Sequence, residues 1–84
     1  METVKEKVNG IDVWFVIEPL TWHNKQRNLI VPTDKFICFF NFEKPGAFIY
    51  GELLRGEDNV PIEFKNHKEA IQYGRNYVIQ KFEL

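Results

Sequence analysis

Polar and apolar positions alternate with a period of two on both sides of an Asn-Gly pair near the start of the chain. In TVKEKVNGIDVWFVIE, Val4, Glu6 and Val8 alternate with Lys5 and Lys7. After Asn9-Gly10, Ile11, Val13, Phe15 and Ile17 share one face, and Asp12, Trp14, Val16 and Glu18 share the other. Asn and Gly both tolerate positive φ, as a two-residue type I′ turn requires, so the pattern predicts a β-hairpin. Pro19 cannot donate to a ladder and is expected to end the second strand.

Residues 19–34 break the alternation. LIV at 29–31 reads as a short strand or an apolar tether, and Pro32, Thr33 and Asp34 as a turn. KFICFFNF at 35–42 is apolar on both faces, with Phe36, Cys38, Phe40 and Phe42 on one and Ile37 and Phe39 on the other. That composition predicts a central strand covered on both sides. EKPG turns the chain, AFIYGELLR at 47–55 is a fourth strand, GEDN turns again, and VPIEF at 60–64 is a fifth. Pro61 marks the fifth as an edge.

The period then changes. Asn66, with Glu69 three residues on, forms a variant capping box. Ala70, Ile71, Gly74, Tyr77, Val78 and Phe82 recur at helical spacing and form a stripe to lie on the sheet. Lys68, Gln72, Arg75, Asn76 and Gln80 form the polar face. Gly74 costs an isolated helix about 1 kcal/mol relative to Ala, and its place on the stripe predicts a close crossing over a strand. The expected fold is α+β: a five-stranded antiparallel β-meander in the order β-β-loop-β-β-β-α, with one C-terminal helix packed across one sheet face. Residues 1–84 make one domain, with 19–34 as an irregular loop within it. One helix cannot cover both faces, so the other face is the first place to look for function.

Composition sharpens this picture in a few respects. A chain of 84 residues buries only about 60% of the surface its unfolded form exposes. Aromatic residues make up 15%, and eight of them are Phe, which lets a small core be built from few side chains. The net charge of −1 lacks the basic footprint of an avid nucleic-acid binder. A single cysteine, Cys38, rules out an internal disulfide, offers no Cys-based metal site, and suits a reducing cytoplasm. There is no apolar leader and no run long enough to span a bilayer, so the chain reads as complete, cytoplasmic and without a membrane partner.

Candidate chemistry is sparse. A nucleophile–base pair would need Cys38 with His23 or His67, but a cysteine in the middle of an apolar strand usually behaves as a small hydrophobe. His67 falls in the first helical turn, where a solvated role is usual, and His23 has no evident partner to orient it. The two histidines with Asp34 or Glu43 have no metal-ligand spacing, and no Gly-rich phosphate loop is present. No catalytic set, metal site or cofactor is expected.

Binding is better supported. Residues 20–33 hold Lys25 and Arg27 and no acid, with His23 beside them. The helical segment carries Lys65, Lys68, Arg75 and Lys81 against Glu69, while 51–63 is acidic. Exposed rings next to basic residues make a platform for single-stranded nucleic acid, and Trp14, Trp22, Phe48 and Tyr50 are the candidate rings. The plainer alternative is a solvated helix face balanced by nearby acids.

FKNHKEAIQYG, after two strands, resembles the strand-to-helix junction of AP2-type DNA-binding domains. The resemblance covers about the last 35 residues and lies in layout more than in residues. It implies DNA reading from Arg- and Trp-rich strands, and the matching strands here offer Phe48, Tyr50, Glu52 and Leu54, with Arg55 the only base.

The leading expectation is a small soluble binding or regulatory module that acts through protein–protein contact. The contact would use an aromatic sheet face or a sheet edge open to a partner strand or a second copy. Single-stranded nucleic-acid binding through Trp22, Lys25, Arg27 and a neighbouring ring is the alternative, and an unrecognised enzyme the second. TWHNKQRN at 21–28 is the best site candidate. There Trp22 is expected to anchor the segment on the sheet beside Leu20 or Leu29, leaving Lys25, Gln26 and Arg27 as an exposed tip.

Overall fold

Residues 2–46 and 51–84 are described by a computed structural model of the chain. Phe48, Tyr50 and the first half of the expected fourth strand lie outside these residues. Strand β1 spans Glu2–Val8 and β2 spans Ile11–Asn24, joined at Asn9 (φ 48°) and Gly10 (φ 86°). Val8 pairs with Ile11 across that turn, so the Asn-Gly signal and its register are as read. Strand β3 spans Leu29–Asn41, β4 is the short Glu52–Leu53, and helix α1 spans His67–Lys81. The sheet is antiparallel in the order β1-β2-β3-β4, and the fold is α+β with the helix at the C-terminal end.

Two expectations change. The expected fifth strand, 60–64, is a bridging segment and not a regular strand. Phe64 exchanges backbone hydrogen bonds with Phe36 at 2.8 Å each way, and the Ile62 N–H donates to the Leu54 carbonyl at 3.2 Å. Pro61 bridges Arg55 while Phe64 bridges Phe36, so the segment meets two different neighbours and forms no continuous ladder with either. The second change concerns residues 19–34, which are mostly strand. Strand β2 continues through Pro19 to Asn24 and β3 begins at Leu29. Pro19 is tolerated because β1 covers β2 only as far as Ile17, so β2 is an edge strand from there on.

The alternation of β2 and β3 decides the core. Val13, Phe15 and Ile17 on β2 meet Cys38 and Phe40 on β3, and Leu54 and Phe64 close the layer. Ala70, Gly74 and Val78 of the helix are buried on top of it, with Ile71 and Tyr77 packed at its margins. Asn66 caps the helix as its sequence predicts, its side-chain oxygen accepting from the Glu69 N–H at 2.8 Å.

The helix crosses close over β2 at Gly74. A Cβ there would stand 2.5 Å from Cε1 of Phe15, well inside contact distance. The helix thus sits directly on the Phe15 ring. Polar contacts fasten its flanks: His67 with Glu2 and the Arg75–Glu6 ion pair (3.2 Å) on the β1 side, the Lys81–Glu52 ion pair (2.8 Å) on the β4 side. Each pair is partly exposed and contributes no more than about 1 kcal/mol, so they orient the helix more than they hold it.

This geometry makes a prediction at one residue. Gly74→Ala gains about 1 kcal/mol of helix propensity, yet it should lower stability in urea unfolding by about 2 kcal/mol through overpacking. Combined with Phe15→Leu, the loss should be smaller than the two single losses added, since the ring that clashes is gone. Additive losses would show that the ring is not the obstacle.

Candidate functional site

Strands β2 and β3 are far longer than their neighbours. At about 3.3 Å per residue, fourteen residues of strand reach about 46 Å, and the longest dimension of the molecule is 48 Å. The radius of gyration, 13.8 Å, exceeds the roughly 12 Å expected of a compact chain of this length. The excess is a two-stranded arm made of residues 19–24 and 29–35, which runs past the end of β1 and past the Phe36–Phe64 bridge.

The arm is built in register, with one irregularity at its base. Leu20 pairs with Lys35 but Thr21 pairs with Pro32, so Thr33 and Asp34 are extra residues on β3. Asp34 takes φ 62°, and the Thr33 hydroxyl donates to the Leu20 carbonyl at 2.7 Å. The Pro-Thr-Asp signal is therefore a bulge and not a turn, a device that bends a strand and tightens its twist. Residues 25–28 form the turn at the tip, with Asn28 at φ 52°.

Register sorts the arm into two faces. Trp22 stands opposite Val31, and His23 opposite Ile30 on the other side. Trp22 is 58% exposed, Ile30 70%, Leu29 51% and Val31 40%. Trp22 is therefore not the anchor expected of it. Among the described residues no element packs beneath the ribbon there, and the ring stands out on the strand. Lys25, Gln26 and Arg27 are at the tip, as read.

By alternation along β2, Trp22 lies on the same side as Leu20, Glu18, Val16 and Trp14, opposite the helix. At the foot of the arm on this side is a hollow of about 320 Å³ lined by Leu20, Ile37, Val60, Pro61 and Glu63. Further along, Trp14 is half-buried with the Lys5 ammonium 5.5 Å from its ring centre. Trp14 and Trp22 are about 26 Å apart along the strand, so they cannot form one platform.

The sequence-predicted residues therefore divide. Trp22, His23, Lys25 and Arg27 come together on the arm, Trp14 stands apart, and Phe48 and Tyr50 lie outside the described residues. Sequence reading missed Leu29, Ile30 and Val31 as exposed partners of Trp22, and missed Leu20, Ile37, Val60 and Pro61 as a hollow. The available signal was strand-like composition on both sides of the polar run NKQRN, obscured by Pro19 and Pro32.

The other candidates for chemistry are placed as follows. Cys38 is fully buried among core side chains, and burial pushes its thiol up from 9.0 to about 12. It is protonated at neutral pH, the opposite of an activated thiolate. His67 is not simply solvated: its ring packs edge-on to Phe36 at 4.8 Å and pairs with Glu2. Among the described residues, no three metal-ligating side chains converge, and no helix is long and apolar enough to cross a membrane.

The helix cations expected to face solvent are partly engaged. Arg75 reaches Glu6 and the Lys7 carbonyl, and Lys81 reaches Glu52 and the Tyr77 hydroxyl. No protein-family model, curated protein or solved structure matches the chain.

The buried thiol makes a pH prediction. In the unfolded chain it loses its proton near pH 9.0, while in the folded chain it keeps it to about 12. The unfolded state thus binds fewer protons across this window, and stability falls as pH rises through it. Lys81, raised by its bonds to Glu52 and Tyr77, contributes stability that is lost in the same direction as pH rises through its folded value. Urea unfolding between about pH 8 and about pH 10.5 should show a clear loss of stability that is markedly flatter in Cys38→Ala. Parallel curves for the two proteins would contradict the assignment.

Proposed function

We propose that the protein is a binding module that docks onto another protein through its β2–β3 arm and the adjoining helix-opposite face. The observation that carries this reading is the row of exposed Trp22, Leu29 and Val31 on one face of the arm, held away from the domain body. Isolated exposed apolar residues are ordinary, but a contiguous set on a projecting element is a usual mark of an interface. A two-stranded ribbon without a packed face is marginal in water, so burial against a partner would also supply the stability it lacks.

Docking by faces is favoured over strand addition at an edge. The outer edge of β1 carries Lys5, Lys7, Glu2 and Glu6, and the arm carries Pro19, Pro32 and the Asp34 bulge. Charges, prolines and bulges are the devices that keep sheet edges from pairing. A cytoplasmic setting goes with the reading, supported by a lone thiol that needs no oxidising environment.

Single-stranded nucleic acid is the second reading, favoured by the exposed Trp22 ring close to Lys25 and Arg27 at the tip. Leu29, Ile30 and Val31 count against it, because phosphates have no use for them, and Arg75 and Lys81 are turned toward carboxylates.

Substitution separates these readings. Trp22→Glu combined with Val31→Lys should leave folding stability within about 1 kcal/mol of the parent while abolishing capture of protein partners by the immobilised chain. Retention of the same partners by the variant would contradict the proposal. Salt-reversible quenching of Trp fluorescence by an oligonucleotide would favour the second reading.

A further inference from the structure

We infer that the arm's partner is a second copy of this chain, in a two-fold dimer in which each arm lies over the hollow at the foot of the other. The inference rests on the reading of the arm as a docking element and adds the identity of what it docks on.

Its first support is shape. A two-fold interface uses the same patch twice, so that patch must contain both a projection and a place to receive it. Here the two are side by side on one face. Trp22 and Val31 form its centre and meet their counterparts; the projection beyond them is Leu29 with the tip, and the recess is Leu20, Ile37, Val60 and Pro61. A ribbon with its own apolar hollow adjoining it matches a copy of itself running the opposite way.

The second support is charge. With the two-fold axis near the Trp22–Val31 pair, the ladder ends at Asn24–Leu29, about 7 Å beyond the axis at about 3.3 Å per residue, and the turn 25–28 stands just past it. On the partner, Glu18 lies about 13 Å the other way, with Ile37 opposite it and Glu63 at the rim of the hollow, within reach of long side chains from the tip. The tip brings Lys25 and Arg27, and no acid lies between residues 19 and 33. Lys35 beside Leu20 is the opposing charge on the rim, which leaves it acidic by one. Two tip–rim contacts, one at each end, follow from the symmetry.

Such a contact weakens as salt screens the exposed tip charges.

The test is sedimentation equilibrium of the full chain from about 1 to about 300 µM, which brackets micromolar dissociation constants. The expected result is a reversible rise from the 10.0 kDa chain mass toward twice that value. Trp22→Glu should remain monomeric throughout with an unchanged melting temperature. The arrangement itself is tested by charge exchange. Lys25→Glu/Arg27→Glu and Glu18→Lys/Glu63→Lys should each weaken self-association about tenfold or more alone, and a mixture of the two should dimerise as the parent does.

A parent that stays monomeric at the highest concentration overturns the inference. So does a dimer that survives Trp22→Glu, or a mixture of folded charge variants that fails to associate. If the parent is monomeric but still captures another protein through Trp22 and Val31, the docking reading stands and only the second copy is ruled out. If it does neither, both fall.

Discussion

The contact between Gly74 and the Phe15 ring fixes the rest of the molecule. It seats the helix on one sheet face at Gly74, the helix's one glycine, where a Cβ would run into the ring. The cost of a glycine inside a helix, about 1 kcal/mol, is offset by the burial of a large ring beneath it. Val13, Ile17, Cys38, Phe40 and Val78 then pack around that contact, and the carboxylates of Glu2, Glu6 and Glu52 meet helix bases on both flanks. A 15-residue helix held there covers one face only. The opposite face and everything beyond the end of β1 are left outside its reach.

Local signals with a strict physical basis were legible in the sequence. Asn9-Gly10 needs positive φ at two positions, and few residue pairs supply it. Asn66 and Glu69 announce a helix start because the orphan N–H groups must be satisfied. Gly74 on an apolar stripe implies a close crossing for want of a side chain. The alternation of Phe36, Cys38 and Phe40 against Ile37 and Phe39 gave the central strand and its two sides correctly.

The arm was illegible because the same residues have two meanings. Pro19 ends a strand inside a sheet but is tolerated where the strand becomes an edge, and only the length of β1 decides which applies. Pro32-Thr33-Asp34 reads as a turn, yet as a bulge it uses the same positive φ at Asp34 and the same side-chain-to-backbone bond from Thr33. Trp22 reads as the anchor that a long irregular segment needs. Its exposure depends on how far β2 and β3 outrun their neighbours, a tertiary property. Segment 60–64 has strand composition, but its bridges go to two different neighbours, Arg55 and Phe36, a tertiary placement that composition does not show. The candidate site followed suit: the basic tip was found, and the apolar row that accompanies it was not.

Edges and faces of the arm are treated differently, and that contrast is the core of the functional account. Prolines, charges and a bulge protect the edges; nothing comparable protects Trp22, Leu29 or Val31. If those faces bury a second copy, the backbone of the arm should be protected only when copies meet. Amide hydrogen exchange at about 5 µM and at about 300 µM reads this directly. The account predicts that Trp22, His23, Ile30 and Val31 gain protection with concentration while the β1–β2 hairpin around Asn9 does not change. Equal exchange of the arm at both concentrations would contradict it.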